Sequence, residues 1–138
     1  MLGKTHELPA SADVDVDQPF KTPAQLQKAG VLFCITIPGG FWQERNLPFN
    51  AGTAAAYGLT KEEALASVTS NAARILGVED RLGTLEKGKS ASLIVSTGDV
   101  LDMKTSNIEY AFIDGRQIDL NNKQKELNLK FSKKYGLN

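Results

Sequence analysis

The feature that most constrains this chain is a change of hydrophobic period across two glycines. Leu65, Val68, Ala72, Ile75 and Leu76 fall on one face of a helix. After Gly88 the period becomes two: Leu93 and Val95 face one way, Ser92 and Ser96 the other. A helix must therefore become a strand within about a dozen residues. The helix has its own start signal, the capping box Thr60-Lys-Glu-Glu63. Asn71 can open a second turn, so a break is expected inside it. Gly77 is a natural stop, since glycine adopts the left-handed conformation that ends helices.

Between these elements, Gly83-Thr-Leu-Glu-Lys-Gly88-Lys89-Ser90 matches the phosphate-loop pattern G-x-x-x-x-G-K-[ST]. A phosphate loop needs a strand entering and a helix leaving, because the helix N-terminus and the loop amides cradle the phosphates. Here the order is reversed. The segment is instead expected to be a pair of turns on Gly83 and Gly88, with Leu82 and Leu85 packed inward and Lys89 solvated. Nucleotide binding through Gly83–Ser90 is the weakest of the functional alternatives.

The N-terminal part is polar and rich in aspartate through residue 22, with a short leading strand expected near residues 1–8. Thr22-Pro23 offers a helix start and Gly30 its end. Val31-Leu-Phe-Cys-Ile-Thr36 follows as an unbroken apolar run, the pattern of a parallel strand covered on both faces. Residues 46–58 are weakly helical. Ile108–Ile113 predicts a strand, Asp114-Gly115 a hairpin turn and Arg116–Ile118 the return strand. Leu120, Leu127, Phe131 and Tyr135 then line one side of a basic C-terminal helix. Composition divides the chain near residue 80, an α/β part over 1–80 and a small β unit with its helix over 81–138. One or two parallel strands do not complete a sheet, so this chain is expected to be part of something larger or to complete its sheet by association.

A length of 138 residues allows a real core, and 41% hydrophobic against 23% charged residues places the chain among globular proteins. Sixteen basic and sixteen acidic residues cancel, which argues against a nucleic-acid partner. The cluster Lys130, Lys133 and Lys134 suits the end of a helix dipole. The single cysteine, Cys34, excludes an internal disulfide and reads as a buried apolar residue. No apolar run approaches the ~20 residues needed to span a bilayer, and MLGKTHELPASADVD holds no signal-peptide core. The default expectation is cytoplasmic, unless an upstream segment carries a signal.

Taken together, Glu63-Ala-Leu65, Thr69-Ser-Asn-Ala-Ala73, Ile75-Leu-Gly77, Leu82–Lys89, Ala91–Val95 and Ile108–Ile118 resemble the C-terminal end of amidohydrolase-superfamily enzymes, with the imidazolonepropionase-like branch nearest. The resemblance covers residues 59–118. It implies an α/β fold: the last strands and helices of a (β/α)₈ barrel over 1–80, then part of a β-sandwich with a C-terminal helix. It also implies hydrolysis of carbon–nitrogen bonds in cyclic amides, ureides or peptide-like substrates. In the family, one or two divalent, zinc-like metals lower the pKa of a bound water, and an aspartate ending the last barrel strand accepts its proton. The metal is held by a His-x-His, a bridging group, two further histidines and that aspartate.

The departures bear on function. This chain has one histidine, His6, whereas a catalytic zinc needs about three protein ligands. The family aspartate should fall near Ile37, where no carboxylate stands. The resemblance thus implies no catalytic or metal residue in the chain, a metal only in a longer parent, and a mononuclear variant, altered chemistry or lost activity in that parent. His6, near the end of the penultimate strand, is the one substrate-binding candidate. Asp13, Asp15 and Asp17 lack the glycine and glutamate of a calcium loop. Ser90 and Ser92 replace two acidic positions of the family's turn. The expected partners are the rest of a barrel or a second copy of the chain. The alternative to a hydrolase is a non-catalytic binding or oligomerisation module.

Overall fold

The computed structural model describes residues 1–3 and 5–137. Its elements are α1 (Gln18–Lys28), a 3₁₀ turn (Phe41–Asn46), α2 (Leu47–Ala56), α3 (Lys61–Val68), α4 (Ser70–Leu76), strands β1 (Leu93–Ser96), β2 (Ile108–Ile113) and β3 (Arg116–Gln117), and α5 (Lys123–Tyr135). The chain is α/β. Helices gather around one short parallel pairing, and a three-stranded antiparallel sheet of order β1-β2-β3 follows.

Helix α1 starts four residues before the expected Thr22. Pro19 occupies the first turn, where a missing N–H is harmless, and Pro23 lies inside the helix and is buried. The Thr22 hydroxyl donates to the Gln18 carbonyl at 2.8 Å, the back-bond of a residue within a helix, so Thr22 is no N-cap. The end is as expected, with Gly30 at φ 70°.

The apolar run 31–36 is covered over only half its length. Phe33, Cys34 and Ile35 are buried, but Val31 and Leu32 are each 46% exposed. The neighbours that could cover the run reach only its second half. Leu2 pairs in parallel with Ile35 through Leu2 N to Cys34 O (2.8 Å) and Thr36 N to Leu2 O (2.9 Å). On another side Ile35 N donates to Ser67 O, at the end of α3, at 3.1 Å.

The capping box forms as the sequence predicts. Glu63 N donates to Thr60 Oγ1 (3.1 Å) and Thr60 N to the Glu63 carboxylate (2.8 Å). The latter bond holds the Glu63 carboxyl below its usual range. The helix breaks at Thr69 (φ −127°, ψ −93°), two residues before Asn71, and α4 ends at left-handed Gly77. The core joins Phe33, Ile35, Ala51, Ala54, Leu59 and Ala64 with Leu101, which comes from beyond β1. A Cβ on Gly52 would stand 2.0 Å from the Leu101 carbonyl oxygen, so α2 and the 98–105 loop touch backbone to backbone.

The region between Gly77 and β1 corrects two expectations. Leu82 and Leu85 do not pack inward; they are 37% and 81% exposed. Gly83 makes the close contact instead, since a Cβ there would meet Ala73 Cβ at 2.6 Å. Lys89 is not a solvated charge. Its side chain is 16% exposed, and its ammonium closes the turn on Thr84 Oγ1 (2.6 Å) and the Glu86 carboxylate (3.5 Å). Strand β1 pairs regularly from Leu93 to Val95, and Ile94 and Val95 are both exposed, so neither of its faces is covered there. A bulge between Val95 and Ser96 shifts the register against β2.

The hairpin is as expected, with Asp114 at φ 49° and Gly115 at φ 77°, though its return strand has only two residues. Ser90 donates to the Asp114 carboxylate and Ser92 Oγ accepts the Asp114 N–H (3.1 Å), so these serines brace the turn. Carboxylates in their places would repel Asp114. Helix α5, capped by Asn122, buries none of its described residues, including its Leu127–Phe131–Tyr135 line.

Gly52→Ala tests the α2 contact. In an exposed helix this change stabilises by about 1 kcal/mol; here overpacking should cost roughly 1–3 kcal/mol. A urea-unfolding midpoint that fails to fall would contradict the close approach.

Candidate functional site

Parallel pairing brings the two singled-out positions together. Because Leu2 and Ile35 run the same way, the residues following each emerge at the same end, and His6 and Ile37 line one cavity of about 290 Å³. Trp42 and Gln43 from the 3₁₀ turn, its last residue Asn46, and Asn50 from α2 complete most of the wall. Asn50 is 7% exposed, whereas Trp42 is 58% exposed. The sequence reading missed all four. Asn50 left one signal, an amide inside a run of small apolar helix residues where asparagine is a poor helix former.

His6 is held from α2. Its Nε2 lies 2.7 Å from Thr53 Oγ1, and its ring meets Phe20 edge-on at 5.9 Å. The single Thr53 hydroxyl hydrogen is used on the Phe49 carbonyl (3.0 Å). The imidazole therefore donates from Nε2, which leaves Nδ1 of the neutral ring as an acceptor. Partial burial lowers the His6 pKa below its ordinary value, favouring that neutral form.

A larger cavity of about 600 Å³ lies between α2, α3 and the 98–105 loop. Its charged groups are already engaged. Lys61 Nζ binds Asp99 Oδ2 at 2.6 Å, which raises the lysine pKa and lowers that of the aspartate. Asp102 accepts from Lys104 N (2.9 Å) and Thr105 Oγ1 (3.3 Å). Despite its size, it offers less unused chemistry than the His6–Ile37 cavity.

Residues 40–118, more than half of the chain, match the Amidohydrolase family. The chain belongs to the amidohydrolase family. The imidazolonepropionase of Mesorhizobium japonicum is 59% identical over 39 residues, which are 28% of this chain and 10% of that protein. The crystal structure of an amidohydrolase from Thermotoga maritima aligns with a TM-score of 0.68 at 34% identity, covering 79% of this chain and 29% of that one. An adenosine deaminase from Xanthomonas campestris with bound zinc shares the fold at 22% identity and a TM-score of 0.52, over 82% of this chain and 33% of its own. This amidohydrolase chain thus spans well under half the length of the relatives it matches.

A metal does not fit the residues present. Among the described residues, no three His, Cys, Asp or Glu side chains gather as ligands, and the cavity's ionisable wall is His6 and Glu7. Asp15 and Asp17 instead hold Lys21, at 3.6 and 2.7 Å. The Gly83–Ser90 segment leads into β1, and its lysine is spent inside the turn. No helix among the described residues is long and apolar enough to cross a membrane.

Two outcomes follow. As the sole histidine, His6 gives one clean NMR titration, expected below pH 6.5. Its folded pKa is depressed, so the native state binds fewer protons. Stability should be full above pH 6.5 and fall as pH drops through that value towards the folded pKa, and His6→Gln should flatten the dependence. A midpoint at or above 6.5 would contradict the packing argument. Calorimetric titration with ATP and magnesium should show no saturable heat; stoichiometric binding would revive the phosphate-loop reading.

Proposed function

We propose that this chain forms the closing end of a metal-dependent amidohydrolase that hydrolyses carbon–nitrogen bonds of cyclic amides, ureides or peptide-like substrates. Residues 1–80 are the final part of its (β/α)₈ barrel, and residues 81–138 belong to the accompanying β-sandwich with its C-terminal helix. The observation that carries the reading is the shared cavity of His6 and Ile37 beyond the ends of two parallel segments, since barrel enzymes place their sites at the C-terminal ends of the strands.

In this reading the chain supplies a wall for substrate. His6 Nδ1 accepts from a substrate N–H, while Thr53 fixes the ring. Ile37 takes no proton, so the base of the hydrolysis lies outside these residues. So do the ligands of a divalent metal, whose chemistry would be to activate water. The chain by itself is inactive.

A second reading, a module that assembles with another copy of itself, is favoured by the exposed apolar residues Ile94, Val95, Tyr110 and Ile113 on the sheet. In the first reading the rest of the protein covers them. Light scattering separates the two: a clean monomer counts against self-assembly.

The decisive experiment assays the longest natural protein containing this segment, supplied with zinc, against hydantoins, lactams and acyl-amino acids. Hydrolysis should occur, and His6→Ala should raise KM several-fold with kcat nearly unchanged. Absence of turnover on every substrate would sink the hydrolase reading. Unaltered KM would remove His6 from the site.

A further inference from the structure

We propose that Asn50 is the specificity-determining residue of the His6–Ile37 cavity, and that it selects ligands presenting a cis amide edge, an N–H beside a C=O as in a lactam, cyclic urea or imide. The proposal rests on reading that cavity as the substrate site. Asn50 lies in the first turns of α2, is more than nine-tenths buried and lines the cavity. Among the described residues its carboxamide takes part in no hydrogen bond, although its neighbour Thr53 is doubly engaged. Its unbonded amide atoms are not sealed off, since Thr5 Oγ1 is the buried side-chain polar atom without a partner among the described residues, and asparagine is a poor helix former.

Thr5 Oγ1 is buried without a partner, but it is sealed from solvent and no small molecule can reach it. The Asn50 amide opens onto a cavity. A carboxamide carries a donor and an acceptor side by side. A cis amide pairs with both at once, whereas a linear amide, whose N–H is trans to its C=O, meets only one. The cavity, about 290 Å³, suits a small ring. Its histidine is biased towards the neutral form, which suits an uncharged ligand, and Trp42 adds apolar area for a ring.

The test titrates the 138-residue chain with 2-imidazolidinone, followed by the NMR signals of His6 and of the Asn50 side-chain amide. Saturable shifts of both are expected. Affinity should fall about ten-fold or more, the loss of one to two hydrogen bonds, in three comparisons: Asn50→Leu with the same probe, the unmodified chain with 1,3-dimethyl-2-imidazolidinone, and the unmodified chain with N-methylacetamide. The last two need no variant, so a misfolded Asn50→Leu does not blunt the test. Equal binding of either comparison probe, equal binding by a folded Asn50→Leu, or no saturable shift with 2-imidazolidinone overturns the proposal. Failure of the hydrolase reading looks different: the probe binds through Asn50, yet the zinc-supplied longer protein turns nothing over. Hydrolysis with unaltered KM in Asn50→Leu overturns the role of Asn50 and leaves the hydrolase reading standing.

Discussion

Three backbone hydrogen bonds around Ile35 organise the N-terminal half. Leu2 N on Cys34 O and Thr36 N on Leu2 O set two segments parallel, and Ile35 N on Ser67 O ties that pair to the end of α3. Parallel ladders cannot be closed by a tight turn; they need a crossover. Here α1 is that crossover, and its early start at Gln18 lets Phe20 reach both His6 and Tyr57. If the pairing slipped by one residue, Ile35 would leave the core and Ile37 would leave the cavity. The core and the site therefore share one registration.

The second constraint is close approach. Gly52 against the Leu101 carbonyl and Gly83 against Ala73 are contacts that a side chain would block. They explain why the turn between helix and sheet exposes its leucines: the glycine, not the leucine, lies against α4. Closeness also draws Leu101 into the helical core, so the composition break near residue 80 does not separate two independent cores. The antiparallel sheet is less complete. Its bulged first strand and two-residue third strand leave several apolar side chains open, as does the unburied line of α5.

Much of the local architecture was legible because its causes are local. The capping box, the left-handed stops at Gly30 and Gly77 and the Asp114-Gly115 turn depend on residues within a few positions of one another. The letters of Gly83–Ser90 misled only when read without their flanking elements; a phosphate loop is defined by what enters and leaves it. The inward leucines, the solvated Lys89 and the Thr22 helix start failed because each depends on a neighbour that residue type does not reveal: Ala73, Thr84 and the Gln18 carbonyl.

By itself the sequence determined the order of elements, the family and the scarcity of metal ligands, since one histidine cannot become three in any fold. It also marked His6 and Ile37, though by resemblance and not by their proximity. Only the tertiary structure decided that these two share a cavity, that His6 donates to Thr53 and so keeps an acceptor nitrogen, and that Asn50 lies beside them with its carboxamide in no hydrogen bond among the described residues. The physical reason is range. Period, caps and turns are written in spacings of a few residues, whereas the site is assembled by a parallel pairing between residues 2 and 35 and a hydrogen bond between residues 6 and 53. Those contacts exist only once the chain has folded back on itself.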